Sequence, residues 1–242
     1  TMKKILFIFF TLLINQSIYA QLSFGPKVGI TNYYEKFHLS GNYSTYNKPT
    51  SVGKVAYTFG GSMNYQLGEV LSIRSELLFE RVSFTNVQSD LTLFPIIYQE
   101  DLVKLNYLTL PINIALTNRK IMFLTGVRFS YLVGGNVDRK TITTDSTGHD
   151  INKEETIKAS GKKQDALHSS DSYHTNPLCI YLNAGLGYKL SDRLQCEIQY
   201  IFGLTNTTPH YTNPTLESNR NDFKVKNRSF TISLLYYFGS VD

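Results

Sequence analysis

The chain has 242 residues and a mass of 27.5 kDa, with 42% hydrophobic, 13% aromatic and 18% charged residues and a formal charge of +5. That balance is too polar for a polytopic helical membrane protein and too rich in aromatics for a largely disordered chain. The positive surplus is small, and no basic cluster interleaves with aromatics, so no nucleic-acid partner is expected.

Lys3 and Lys4 precede an apolar run from Ile5 to Ile14, then Asn15-Gln16-Ser17 and a small residue, Ala20. A basic head, an apolar core of about ten residues and a small residue at the cut describe a secretory signal peptide, 1–20, with the working domain at 21–242. A core that short does not span roughly 30 Å of hydrocarbon as a helix. Beyond Ala20 the best apolar stretch, Leu105 to Leu116, is broken by Asn106, Pro111 and Asn113. Residence in a membrane would therefore require a closed barrel, the other structure that pairs every backbone group in lipid.

Period-two alternation marks eight strand segments: 22–34, 53–67, 70–84, 103–117, 121–137, 176–190, 194–206 and 224–238. In the third, Leu71, Ile73, Leu77 and Phe79 take one face, and Ser72, Arg74, Glu76 and Glu80 the other. In the sixth, Leu178, Ile180, Leu182, Ala184, Leu186 and Tyr188 oppose Asn183, Gly185, Gly187 and Lys189. The seventh sets Leu194, Cys196, Ile198, Tyr200 and Phe202 against Gln195, Glu197 and Gln199. The last sets Phe230, Ile232, Leu234, Tyr236 and Phe238 against Ser229, Thr231 and Ser233. These segments exceed the five or six residues of an ordinary strand and reach the roughly 9–11 of a tilted membrane strand.

Tight turns (Gly68-Glu69, Asn118-Arg119-Lys120, Ser191-Asp192-Arg193) alternate strictly with long polar connections at 35–52, 85–102, 138–175 and 207–223. All tight turns then lie at one end and all long loops at the other, as in outer-membrane barrels with short periplasmic turns and long extracellular loops. Tyr65, Phe123, Tyr188 and Tyr236 fall near the periplasmic interface, and Tyr57, Phe129, Tyr131, Tyr200 and Phe202 near the outer one, where amphipathic rings are favoured. The expected fold is all-β: an eight-stranded antiparallel up-and-down transmembrane barrel with periplasmic termini. Its expected surroundings are outer-membrane lipid and the assembly machinery that inserts such barrels.

Pro26-Lys27-Val28-Gly29-Ile30, Phe59-Gly60-Gly61 with Arg74-Ser75-Glu76-Leu77, Tyr107-Leu108-Thr109-Leu110-Pro111, and Gly185-Leu186-Gly187-Tyr188 through Leu194 resemble the PorT-like group of outer-membrane β-barrel proteins. These motifs specify a scaffold. The resemblance implies an association with protein secretion, hence secretion or envelope proteins as partners. Pro111 cannot donate to a ladder, so a bulge or a locally opened pairing is expected there.

The inward face carries Lys27, Arg74, Glu76, Glu80, Arg128, Lys189 and Glu197. An eight-stranded barrel can be filled by side chains, and buried charges need partners, so these seven are expected to form a lumen charge network. The functional alternative is an ion path, or acid–base work by Glu76 and Glu80. All five histidines, His38, His149, His168, His174 and His210, fall in long connections without metal-ligand spacing. No metal, cofactor or catalytic residue is assigned; the least poor hydrolase candidate is His174 beside Ser172. Cys179 and Cys196 have opposite parity and are expected to be free thiols. In the second connection Leu91, Leu93, Phe94, Ile96, Ile97 and Tyr98 are too apolar for a free loop: they either extend the hairpin or fold over the mouth, or they form a partner contact. The third connection reads as a mobile, solvated excursion. The functional expectation is a non-enzymatic barrel acting through its loops in adhesion, envelope maintenance or secretion assembly. The alternatives are a narrow solute conduit, and a soluble calycin-like barrel with its apolar face inside.

Overall fold

Side chains along each long strand alternate between an exposed apolar set and a buried polar or small set, and this alternation bends the sheet into a ring. A computed structural model describes residues 22–39, 50–90, 96–160, 172–207 and 223–238. The ring strands are β1 (Leu22–Leu39), β2 (Thr50–Gln66), β3 (Leu71–Asp90), β4 (Ile96–Asn118) and β5 (Ile121–Thr144). Two short strands follow, β6 (Asp150–Ser160) and β7 (Ser172–His174). The ring is completed by β8 (Leu178–Lys189), β9 (Leu194–Gly203) and β10 (Phe223–Tyr236). Hydrogen bonding runs β1-β2-β3-β4-β5-β8-β9-β10 and returns to β1, so eight antiparallel strands close a barrel and β6 and β7 stand outside it. The closing seam is continuous from Lys27 opposite Leu235 to Leu39 opposite Phe223. These are the eight strands that the alternation predicts; the signal segment, 1–20, lies outside the described residues.

The outward face is apolar. Phe24, Val28 and Ile30 on β1, Ile112 and Ile114 on β4, Leu182 and Leu186 on β8, and Ile232 and Leu234 on β10 are all exposed, whereas their strand neighbours Lys27, Thr31, Asn113, Asn183, Thr231 and Ser233 are buried. A soluble calycin-like barrel needs the reverse, because water would meet the whole apolar belt. On β1, β3, β4 and β10 the belt ends sharply on the loop side. Above Ile30, Phe79, Leu108 and Phe230 the next outward residues are Asn32, Arg81, Asn106 and Arg228. About ten residues at 3.3 Å, tilted about 40°, give a belt of about 25 Å, which matches a bilayer core crossed by a barrel. Phe123, Tyr188 and Tyr236 rim one edge, and Tyr57, Phe129, Tyr131 and Tyr200 the other.

The strands run further outward than alternation alone indicates. Most of the expected loop at 85–102 is strand, with β3 paired to β4 up to Asp90 opposite Ile97. The expected excursion at 138–175 is largely a hairpin, in which β5 pairs with β6 from Asn136 opposite Lys158 to Thr144 opposite Asp150. Cross-strand pairing outlasts the membrane here because Val137 and Ile157 bury themselves against the same apolar cluster that fills the barrel mouth. A bulge helps: Asn106 pairs with Gly134 and Tyr107 with Leu132, so Val133 is the extra residue, and inward parity shifts from even to odd along β5. Pro111 keeps its register with Arg128 on β5. Toward β3, pairing is interrupted between Ser75 opposite Ile112 and Leu78 opposite Thr109 with no shift in register, so Pro111 opens the ladder without bulging it. Arg119, in a tight turn, takes φ 54°, the left-handed region that a two-residue hairpin demands.

Ile112→Arg places a charge in mid-belt. Its expected cost is about 2–4 kcal/mol, read as a lower urea midpoint for the barrel folded into vesicles; an unchanged midpoint would contradict the assigned lipid face.

Candidate functional site: the filled lumen and the sheet above it

The inward residues form layers. Nearest the short turns, Met122, Leu124 and Ala115 pack together, and Met122 lines a small cavity with Tyr237. Above them lies the first charge group. Lys27 Nζ, on β1, is 2.8 Å from Glu76 Oε1 on β3 and 2.8 Å from Glu197 Oε2 on β9. Arg74 Nη1 pairs with the second oxygen of Glu197, and Gln195 Nε2 and Gln199 Nε2 each donate to Glu197 at 3.0 Å. The Arg74 guanidinium also lies 5.7 Å from the centre of the Tyr237 ring. Two cations and two carboxylates, all essentially sealed from solvent, balance one another across the lumen. Taking such charges out of water costs several kcal/mol each, and only mutual pairing offsets it.

The next layer is made of amides. Asn183 Nδ2 donates to Asn113 Oδ1 at 2.7 Å, across the strand that carries Gly126. A Cβ at Gly126 would stand 2.1 Å from Ile112 O and 2.5 Å from Asn113 Oδ1, so glycine is what lets these amides meet. A second, separate charge group follows: Arg128 Nη1 donates to Glu80 Oε1 at 2.8 Å, and Thr109 Oγ1 donates to Glu80 Oε2 at 2.8 Å. Six of the seven inward charges read from the sequence thus fall into two ion-paired groups. Lys189 stands half-buried at the short-turn end, lining a cavity of about 30 Å³ with Asn64, Arg74, Gln195 and Tyr237. It makes no ion pair among the described residues. Such a cavity has room for a water or two.

The mouth is capped by an apolar layer that the sequence reading did not single out. Tyr33, Val82, Phe84, Val103, Leu105, Tyr107, Leu132, Val137 and Ile157 form one buried cluster, with the rings of Tyr33 and Phe84 stacked at 5.4 Å. Its signal was present, since Val82, Phe84, Val103 and Leu105 continue the inward parity. Above it, Glu35 accepts from Asn86 Nδ2 at 2.9 Å and from Thr207 Oγ1 at 3.5 Å. It lies past the belt edge marked by Asn32, and burial, partly opposed by those two hydrogen bonds, pushes its carboxyl from 4.5 up to about 7. Asp101 takes a two-point contact from Arg139, at 2.8 and 3.1 Å. On the outward side of the same sheet Lys104 reaches Asp138 at 2.7 Å, and that contact holds the Asp138 carboxyl below the usual range. Glu35, Asp101, Arg139 and Asp138 fall in connections of the sequence reading and escaped it for that reason.

The apolar hexad divides. Leu91, Leu93 and Phe94 lie outside the described residues, while Ile96, Ile97 and Tyr98 begin β4, with Ile97 exposed. Ile96 pairs with Thr144 and Tyr98 with Ile142, so this part extends a hairpin above the membrane. His38 belongs to β1, opposite Lys224, and His174 to β7, correcting their placement in connections. His149 sits in the turn after β5, and His168 and His210 lie outside the described residues. Cys179 is buried and inward, Cys196 outward and partly exposed, and both thiols are free.

Lys27→Met leaves Glu76 without its cation and Glu197 with one partner fewer; the expected loss is about 3–5 kcal/mol of folding stability. Lys27→Met/Glu76→Gln recovers part of it, and strict additivity of the two changes would contradict the pairing. For Glu35 the raised carboxyl favours the protonated form in the folded state. Its stabilising contribution is complete below about pH 4.5 and is lost as pH rises through 7. Glu35→Gln is therefore expected to be on the order of 3 kcal/mol more stable relative to the parent at pH 8 than at pH 4. A difference independent of pH would contradict the buried carboxyl.

The family described as outer membrane protein beta-barrel domain matches residues 15–208. Solved structures with similar topology include Ail, the attachment invasion locus protein of Yersinia pestis (TM-score 0.40, 10% identity, covering 90% of this chain and 99% of that one). Neisserial surface protein A is another (0.37, 10%, 90% and 99%), as is OprG from Pseudomonas aeruginosa (0.37, 11%, 90% and 96%). No curated protein matches the sequence.

Proposed function

The chain belongs to the outer membrane protein β-barrel domain family, and from that premise we propose a non-enzymatic role exerted through the sheet and loops that it carries above the membrane. The termini and tight turns face the periplasm; the β3–β4 and β5–β6 hairpins face outward. Adhesion, envelope maintenance and service in a secretion assembly are the roles this design suits, the last being the one that the PorT-like motifs imply. Export by a signal peptide at 1–20 is part of the same reading.

The observation that carries it is the filled lumen. Two charge groups, an amide layer and an apolar cap lie in series along the axis. An ion would have to break the Lys27–Glu76–Glu197 pairing and then cross the cluster around Phe84, so a conduit is the weaker reading.

Planar-bilayer recording on the purified barrel is expected to show no stepwise conductance, and regular single-channel steps would favour the conduit. In cells lacking the gene, a barrel whose residues 139–173 are replaced by a short turn is expected to insert but not restore function, whereas Glu80→Gln is expected to restore it. The reverse pattern would put the function in the lumen.

A further inference from the structure

We propose that the outward face of β1, β10 and β9, just beyond the apolar belt, binds the phosphate groups of an outer-leaflet lipid. The inference rests on the orientation proposed above and goes beyond it. In the seam register Tyr34 stands opposite Arg228 and Lys36 opposite Lys226. Even-numbered residues of both strands face outward here, since Glu35, Val225 and Asn227 are buried. Lys36 and Lys226 are thus a like-charged pair directly across the ladder, where Cβ atoms sit about 5 Å apart and repulsion is destabilising unless an anion lies between. No described residue on the outward face of these three strands is acidic. Lys104, by contrast, has Asp138, and Lys140 has Glu154 at 3.9 Å. Among the described residues Lys36, Lys226 and Arg228 have no carboxylate partner, as is also true of Lys54, Arg81 and Lys189, but only in the seam do three such cations stand together on one face.

Their depth selects the ligand. Arg228 and Lys226 lie two and four positions beyond Phe230, the apolar outward residue of β10 nearest the loops, on its loop side. At 3.3 Å per residue and a tilt of about 40°, that is about 5–10 Å beyond the hydrocarbon, the layer occupied by lipid headgroups. The site is also preformed. The Arg228 guanidinium lies 5.2 Å from the Phe202 ring centre and Lys226 Nζ 5.8 Å from it. Arg228 Nη1 donates to the Tyr200 hydroxyl at 3.4 Å, and the Tyr34 hydroxyl also interacts with this guanidinium. A guanidinium held in place by an aromatic face and tyrosine hydroxyls, with two lysines facing each other on the adjoining strands, suits a phosphate monoester or diester oxygen set. Phe202 and Tyr200 supply an apolar shelf for the first carbons of the acyl chains.

The test uses the full-length barrel in detergent, with diphosphorylated lipid A and its dephosphorylated form as probes, and native mass spectrometry or fluorescence titration as the readout. The parent protein is expected to prefer the phosphorylated lipid by about tenfold or more. Lys36→Ala/Lys226→Ala/Arg228→Ala is expected to lose that preference, and Lys140→Ala/Lys153→Ala on the β5–β6 hairpin to retain it. Equal binding of both lipids by the parent, or an undiminished preference in the triple variant, would overturn the proposal. Displacement of lipid A by soluble polyphosphate at equal affinity would assign the site to a soluble anion and overturn the lipid source. Protease cleavage within the β5–β6 hairpin on intact cells reads the orientation separately. Cleavage without a phosphate preference defeats this inference alone; protection of the hairpin defeats the orientation on which it rests.

Discussion

Hydrocarbon offers no hydrogen-bond partners, so each backbone amide and carbonyl crossing it must be paired within the protein. In this chain that constraint is met by one seam, the pairing of β1 with β10 from Lys27 opposite Leu235 to Leu39 opposite Phe223. Without it the sheet has two open edges in lipid. With it, every ring strand has neighbours on both sides and the inward residues are sealed from the bilayer. The burial of Lys27, Arg74, Glu76 and Glu197 follows from closure, and so does their need to pair with one another.

The lumen shows how a narrow barrel tolerates charge. Lys27, Arg74 and Arg128 each have a carboxylate within ion-pair distance, and Glu197 is further held by Gln195 and Gln199 and Glu80 by Thr109. Compensating small residues make the room: Gly126 for the Asn113–Asn183 pair, Gly187 for Gln195. The same alternation continues above the membrane with a change of chemistry. There the inward positions turn apolar, around Phe84 and Val103, so the protruding sheet has a small core of its own, with the Arg139–Asp101 and Lys104–Asp138 pairs beside it.

Much of this was legible in the sequence because period two is a strong signal when one side must meet lipid. Leu71, Ile73 and Leu77 against Arg74, Glu76 and Glu80 define the faces of β3 without any coordinates. What alternation does not carry is the stagger between strands. Lys27 meets Glu76 two strands away and Glu197 on the other flank because of the barrel's shear, which no single strand reveals. Strand ends were also obscure: Thr, Lys and Asp in 138–144 and 150–158 read as a solvated loop, yet cross-strand pairs and the buried Val137 and Ile157 keep them in a ladder. The bulge at Val133 reverses parity partway along β5, so Arg139 turns inward and Asp138 outward, against a straightforward count.

The most direct test of the account is the electrophoretic mobility of the outer-membrane fraction, boiled against unboiled. A closed barrel resists detergent until heated, so the account requires the protein in that fraction to change mobility on boiling. Recovery from the soluble periplasm, with one mobility before and after heating, would contradict both the closed ring in lipid and the assignment of its apolar face to the outside.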